Sequence, residues 1–203
     1  ISPQEVDHEN VTDFDGDNNL DDLTLEAPQQ LALGVGYEFL GGTMLIEGNV
    51  KWINWSDAEG YKDFDWDDQW VFAIGAQYTP MPKLALRIGY NYGENPVKEH
   101  DGFNGSFNPM TGRPNSVNTV QGTTIPSYYY ETFRIIGFPA VVEHHLTFGA
   151  SYSITDSIIL SLGYVHAFEK TISQEGTNIF GQPVTMESTL SESSLEFGFT
   201  FRF

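Results

Sequence analysis

The last nine residues, Leu195-Glu196-Phe197-Gly198-Phe199-Thr200-Phe201-Arg202-Phe203, alternate without a break between a large apolar side chain and a polar or small one. Successive side chains of a strand point to opposite faces, so this stretch predicts a strand with one wholly apolar face. The same period recurs upstream. Leu31, Leu33, Val35, Tyr37 and Phe39 alternate with Ala32, Gly34, Gly36 and Glu38; past Gly41-Gly42, Met44, Ile46, Gly48, Val50 and Trp52 alternate with Leu45, Glu47, Asn49 and Lys51. Trp70, Phe72, Ile74, Ala76 and Tyr78 define a further strand, and after Pro80-Met81-Pro82 come Leu84, Leu86, Ile88, Tyr90 and Tyr92. Leu146, Phe148, Ala150, Tyr152 and Ile154, then, beyond Thr155-Asp156, Ile158, Leu160, Leu162 and Tyr164 complete the set. The pattern predicts an all-β chain of about seven antiparallel strands, each of about 9–11 residues, the length a tilted strand needs to cross a bilayer.

Short turns alternate with long polar stretches, at about 56–69, 94–140 and 169–189, which read as loops. Residues 1–23 read as a further acidic loop, on the extracellular side, leaving 24–203 for the strands. A soluble sandwich hides one face of each strand in its core. An outer-membrane barrel shows one apolar face to lipid, with short periplasmic turns, long outer loops and aromatic girdles at both interfaces. Trp52, Trp70, Tyr92 and Tyr164 fall towards the long-loop ends, whereas Tyr37, Phe39, Tyr78, Tyr152 and Phe203 fall towards the short turns. The strand cations Lys51, Arg87 and Arg202 all lie on the less apolar face. Loops and girdles together predict a transmembrane antiparallel β-barrel, with localisation in the bacterial outer membrane.

Composition narrows the functions. No apolar run approaches the roughly 20 residues of a spanning helix. Nine Lys and Arg against 28 Asp and Glu give a formal charge of −19, which repels nucleic acid and attracts divalent cations or basic partners. Asp13, Asp15 and Asp17, with Gly16 among them, space carboxylates as a calcium loop does; the other reading is a solvated acidic loop, and no other cofactor is indicated. Cysteine is absent, so there is no disulfide or thiolate metal site. The chain opens at Ile1 without a signal peptide, as expected of a processed form or a fragment.

The less apolar face is rich in small residues, Gly34, Gly36, Ala73, Gly75, Gly89, Gly149, Gly163 and Gly198, which either leave room for a plug or ligand inside a barrel or relieve strand curvature. A lipid-modifying barrel enzyme would need a Ser/His/acid set, and Glu143, His145, Ser151 and Ser153 share one face. His145 and Ser151 lie about 20 Å apart along the strand, which disqualifies them as a pair. His144 and His145 point to opposite faces and cannot hold one metal. A structural or adhesive barrel acting through its long loops is a third class.

As a set, five segments carry a resemblance: Ala32-Leu33-Gly34-Val35-Gly36-Tyr37, Val50-Lys51-Trp52-Ile53-Asn54-Trp55-Ser56, Phe64-Asp65-Trp66-Asp67-Asp68-Gln69-Trp70, Arg87-Ile88-Gly89-Tyr90-Asn91-Tyr92-Gly93, and residues 138–149 from Phe138 to Gly149. They look like the C-terminal half of the FadL/TodX family of outer-membrane transporters of hydrophobic compounds. The resemblance implies a 14-stranded barrel plugged by an N-terminal hatch, importing long-chain fatty acids or aromatic hydrocarbons, without enzymatic activity. It also implies a C-terminal Phe203 read by the outer-membrane assembly machinery. The basic residue that the fatty-acid members carry before the strand at Trp70 is replaced here by Asp67-Asp68-Gln69. A hydrophobic cargo arriving through lipopolysaccharide needs an apolar foothold, expected on Phe133, Ile135, Ile136 and Phe138 of the long loop, and then a mostly apolar site with few polar groups. Inward-facing Lys51, Arg87, Asn49, Asn91 and His145 are the candidates for those groups. A fatty acid would pair with one of the cations; for a hydrocarbon, both cations are expected to be tied to wall acids such as Glu47.

Overall fold

The computed structural model describes residues 5–13, 18–137 and 142–202. Phe138, Asp15, Asp17 and Phe203 lie outside the described residues, and with them those parts of the foothold, calcium and assembly readings. The chain opens with a hairpin of β1 (Glu5–Thr12) and β2 (Asp21–Glu26), where an acidic loop was expected. Only Leu23 and Leu25 of β2 turn into a core, too short an alternation to stand out among charged neighbours.

The long strands follow: β3 (Gln29–Phe39), β4 (Met44–Asn54), β5 (Gln69–Met81) and β6 (Leu84–Gly93). The stretch read as one long loop is folded. It holds β7 (Phe103–Asn104), a small hairpin of β8 (Val117–Val120) and β9 (Thr123–Pro126), and helix α1 (Ser127–Thr132), which runs into a π-helical turn, Phe133–Gly137. Then come β10 (His144–Ser153), β11 (Ile158–Thr177) and β12 (Pro183–Phe201). The seven long strands pair in the order β12-β11-β10-β6-β5-β4-β3, an antiparallel meander, and β7 adds in parallel to the end of β11. At the β3–β4 turn Leu40, Gly41 and Gly42 all have positive φ, which explains the two glycines.

The expected third loop is mostly strand. β11 and β12 stay paired from Lys170↔Leu190 to Thr177↔Pro183, past a bulge after Ala167, so only residues 178–182 connect them. At about 3.3 Å per residue, β11 is about 65 Å long, well beyond a bilayer core. This extension carries few large apolar side chains, so ladder hydrogen bonds hold it without an apolar stripe for the sequence to display.

Register lines the apolar side chains into rows. One row crosses all seven strands: Tyr37, Ile46, Ala76, Ile88, Phe148, Tyr164 and Leu195. These faces are uncovered: Leu33 is 70% exposed, Val35 71% and Phe197 80%. A soluble monomer rarely shows an apolar patch above a few hundred Å², and burying each such side chain is worth roughly 1.5–3 kcal/mol. The buried core lies instead at the long-loop end, where Phe64, Trp66, Val97, Ile125, Tyr130 and Ile135 pack together with Leu23 from β2, Ile172 from β11 and Met186 from β12.

Candidate functional site

The polar face of the sheet brings together three of the residues expected to contact a ligand. Asn49, Ala73, Asn91 and His145 stand side by side in one row on β4, β5, β6 and β10, so Asn91 and His145 are direct neighbours and Asn49 is one strand removed. Asn91 Oδ1 and His145 Nδ1 are buried without a hydrogen-bond partner among the described residues. Lys51 sits in the row nearer the long-loop end, paired with Ala32 and Val71. Arg87 sits on the other side of the Asn91 row, paired with Gln77 and Gly149.

Arg87 is held by neutral groups. Its Nε donates to Gln77 Oε1 at 2.8 Å and its Nη1 donates to Ser151 Oγ at 2.8 Å; Ser151 in turn meets Ser161 at 2.9 Å. Glu47 accepts from Asn49 Nδ2 at 2.8 Å. The described residues therefore show neither Lys51 nor Arg87 tied to Glu47. Next to Arg87, Gly75 and Gly89 face each other across β5 and β6. With no side chain there, a hollow of about 440 Å³ is lined by Glu47, Asn49, Gln77, Arg87, Asn91 and Thr147 from one face and by Ile74 and Ile88 from the other.

At the long-loop end the expected foothold is only partly at the surface. Ile135 is fully buried in the cap core and Phe133 packs on Phe64 with centroids 5.1 Å apart, whereas Ile136 is 54% exposed. An apolar turn beside an apolar core buries as much of itself as the geometry allows. The same turn carries what the sequence reading missed. Arg134 is completely buried; its Nε donates to Phe64 O at 2.6 Å, Nη2 to Lys98 O at 2.8 Å and Nη1 to Glu131 Oε2 at 2.8 Å. Gln174 of β11 donates to the same Glu131 oxygen at 3.0 Å. His100 bridges Glu131 Oε1, 3.0 Å from its Nδ1, and Asp65 Oδ2, 2.9 Å from its Nε2. Lys98 Nζ reaches Asp65 at 2.8 Å and Asp67 at 3.0 Å.

The environment sorts these charges. The hydrogen bond to Glu131 holds the His100 imidazolium above its ordinary range against burial and the Arg134 charge, with Asp65 adding to the rise. Burial pushes Glu131 up, but hydrogen bonds from His100 and Gln174 and the Arg134 charge outweigh it and hold the carboxyl low. Asp65 is likewise pushed up by burial and brought below its usual value by Lys98 and His100. Burial pushes the Tyr130 phenol up to about 12.

No protein-family model matches the chain, and no curated protein matches it by sequence. Solved structures do match in shape. A TodX monoaromatic hydrocarbon channel carrying the deltaS2S3 mutation superposes with a TM-score of 0.55 at 16% identity, over 90% of this chain and 38% of that one. A deltaS2 mutant of TodX gives 0.51 at 15% identity over the same shares. A Pseudomonas aeruginosa FadL homologue gives 0.53 at 14% identity, over 89% of this chain and 37% of that one. The sheet resembles the wall of a FadL-type barrel. This chain spans less than two fifths of the length of those proteins.

On the sheet, a serine and a histidine meet on the apolar face, where His166 Nδ1 lies 2.9 Å from Ser193 Oγ. No acidic side chain is hydrogen-bonded to His166 among the described residues, and its ring packs edge-on to Phe168. Ser151 bonds Arg87 and Ser161 rather than a histidine. In the acidic segment, Asp13 Oδ2 accepts from Asn18 N at 3.0 Å, and no three metal-ligating side chains gather among the described residues. The clue to the cap cluster was Glu131 and Arg134, three apart in an apolar stretch, the spacing that pairs side chains on a helix.

Proposed function

We propose that these seven strands form part of a 14-stranded outer-membrane barrel that admits hydrophobic compounds, moving them across the outer membrane without chemical change. The observation that carries this reading is the two-sidedness of the sheet. Its apolar rows are largely uncovered, which a lipid solvent would accommodate, whereas its other face combines glycines with a few fixed polar groups, the make-up of a ligand-handling wall. Two of the resembling structures are monoaromatic hydrocarbon channels, and the third is a FadL homologue. Arg87, oriented by Gln77 and Ser151, favours cargo with a carboxylate, which the guanidinium meets with a charge-assisted hydrogen bond. Asn49, Asn91, His145 and Lys51 supply further polar contacts, and Ile136 a first apolar contact outside.

The test is uptake of oleate and of ethylbenzene by cells or vesicles carrying the full-length protein. Oleate affinity is expected to fall roughly tenfold to a hundredfold in Arg87→Ala, the worth of about 1.5–3 kcal/mol for a bond to a charged group. Lys51→Ala, farther from the hollow, is expected to lose less. Uptake of neither compound above that of a barrel-free control would end the transport reading.

A further inference from the structure

The cap cluster joins four separate pieces of chain: the turn at Asp65, the segment of Lys98 and His100, the α1 and π-turn segment of Glu131 and Arg134, and Gln174 on β11. His100 stands where they meet. Its backbone N–H donates to Gln174 Oε1 at 3.1 Å, and its two ring nitrogens face carboxylates from different segments. We propose that His100 is a proton-operated clasp: protonated, its ring ties the 127–137 segment to the turn at Asp65, and neutral, it releases one of the two ties.

The geometry leaves few alternatives. A protonated imidazole donates from both nitrogens and satisfies Glu131 and Asp65 together. A neutral ring has one proton. If it keeps the proton on Nε2 for Asp65, its bare Nδ1 accepts from Arg134 Nη1, 2.9 Å away, and Glu131 Oε1 loses its donor. If the proton sits on Nδ1, Asp65 loses it instead. Of the charges facing the ring, Glu131 from α1 and Asp65 from the preceding turn favour the proton, and Arg134 from the π turn opposes it. Lys98 and Asp67 act on it only through Asp65. Its chain neighbours Glu99 and Asp101 turn outward and accept from Ser173 N and Glu175 N of β11, and Tyr130 donates its hydroxyl to Asp63 O. With a proton on His100, the charges Asp65, Asp67 and Glu131 balance Lys98, Arg134 and His100; without it the cluster is left with an excess negative charge.

The sign follows from the directions. His100 is held above its ordinary value, so its contribution is complete below the ordinary histidine range and is lost as pH rises through the raised value. Asp65 and Glu131 are held below theirs, so their contribution is complete above the ordinary carboxylate range and is lost only in strong acid. The clasp is tightest between those limits and loosens as pH rises through the raised His100 value. Ile135 lies in the cap core and Phe133 packs against it, and Arg134 keeps the segment anchored to Phe64 and Lys98. The proton therefore tunes how tightly this apolar turn is held rather than whether it is held.

Hydrogen exchange of residues 127–137 in the full-length protein in detergent micelles tests this. After correction for intrinsic rates, protection at pH 6 is expected to exceed that at pH 8.5 by about tenfold, the worth of one hydrogen bond to a charged group. His100→Gln, which keeps a polar side chain but no titration, is expected to flatten that difference. Equal protection at both pH values in the unsubstituted protein, or a difference that survives in His100→Gln, overturns the clasp. Should His100→Gln fail to assemble, the imidazole titration of the unsubstituted protein, followed by NMR, decides. A protection midpoint that coincides with the imidazole midpoint supports the clasp, and two separate midpoints overturn it.

Discussion

Arg134→Met is expected to undo the cap while leaving the strands paired. Methionine fills much of the same volume but leaves the carbonyls of Phe64 and Lys98 without the guanidinium donors and takes from Glu131 its fully buried cationic partner, with His100 and Gln174 remaining. Breaking a buried pair by removing one partner costs about 3–5 kcal/mol, because the remaining charge stays desolvated. The cost falls on the segments the guanidinium joins. Limited proteolysis of the full-length protein should therefore cut within 94–137 far faster in the variant, while the sheet still migrates as a folded, heat-modifiable barrel. Replacing both partners, Glu131→Gln with Arg134→Met, should recover part of the loss, since no uncompensated carboxylate then remains. Unchanged protease resistance in Arg134→Met would mean that the cap is held by its apolar contacts alone.

Ile74→Arg is expected to block assembly where Ala73→Arg does not. The two positions are adjacent on β5, yet Ile74 lies in the exposed apolar row with Tyr90 and Leu146, and Ala73 lies in the polar row with Asn49 and Asn91. An arginine on the lipid face near mid-depth costs about 2–4 kcal/mol, whereas on the inner face it meets water and polar groups. The measurement is the fraction of heat-modifiable barrel recovered in the outer membrane for each full-length variant. Equal recovery of the two would show that the Ile74 face does not meet lipid, and the membrane reading of the whole sheet would fall with it.

The sidedness behind that contrast was legible in the sequence because it is local. Alternation from Leu31 to Phe39 or from Leu146 to Ile154 needs only the geometry of an extended chain, and Gly41-Gly42 marks its turn by backbone sterics. Those features predicted about seven long antiparallel strands and the apolar face they share; the structure pairs them as a meander. The resemblance of separate segments to FadL-type channels likewise rests on strand-by-strand pattern, and the superposed structures share that fold. Charge was less informative than pattern: a net −19 says nothing of which few charges are buried.

What the tertiary structure decided is everything that depends on partners distant in the chain. The upper halves of β11 and β12 looked like loop because hydrogen bonds to each other, not an apolar stripe, hold them extended. Ile135 looked exposed because the residues that bury it, Phe64 and Met186 among them, come from other segments. Arg134, His100 and Asp65 read as scattered polar residues until folding set them within hydrogen-bond reach of one another's partners, and Arg87 turned out to lean on Gln77 and Ser151 rather than on Glu47. Alternation along a strand is written into neighbouring residues, so one sequence suffices to read it. Which buried charge meets which carboxylate is set by the packing of the cap, and that packing exists only in three dimensions.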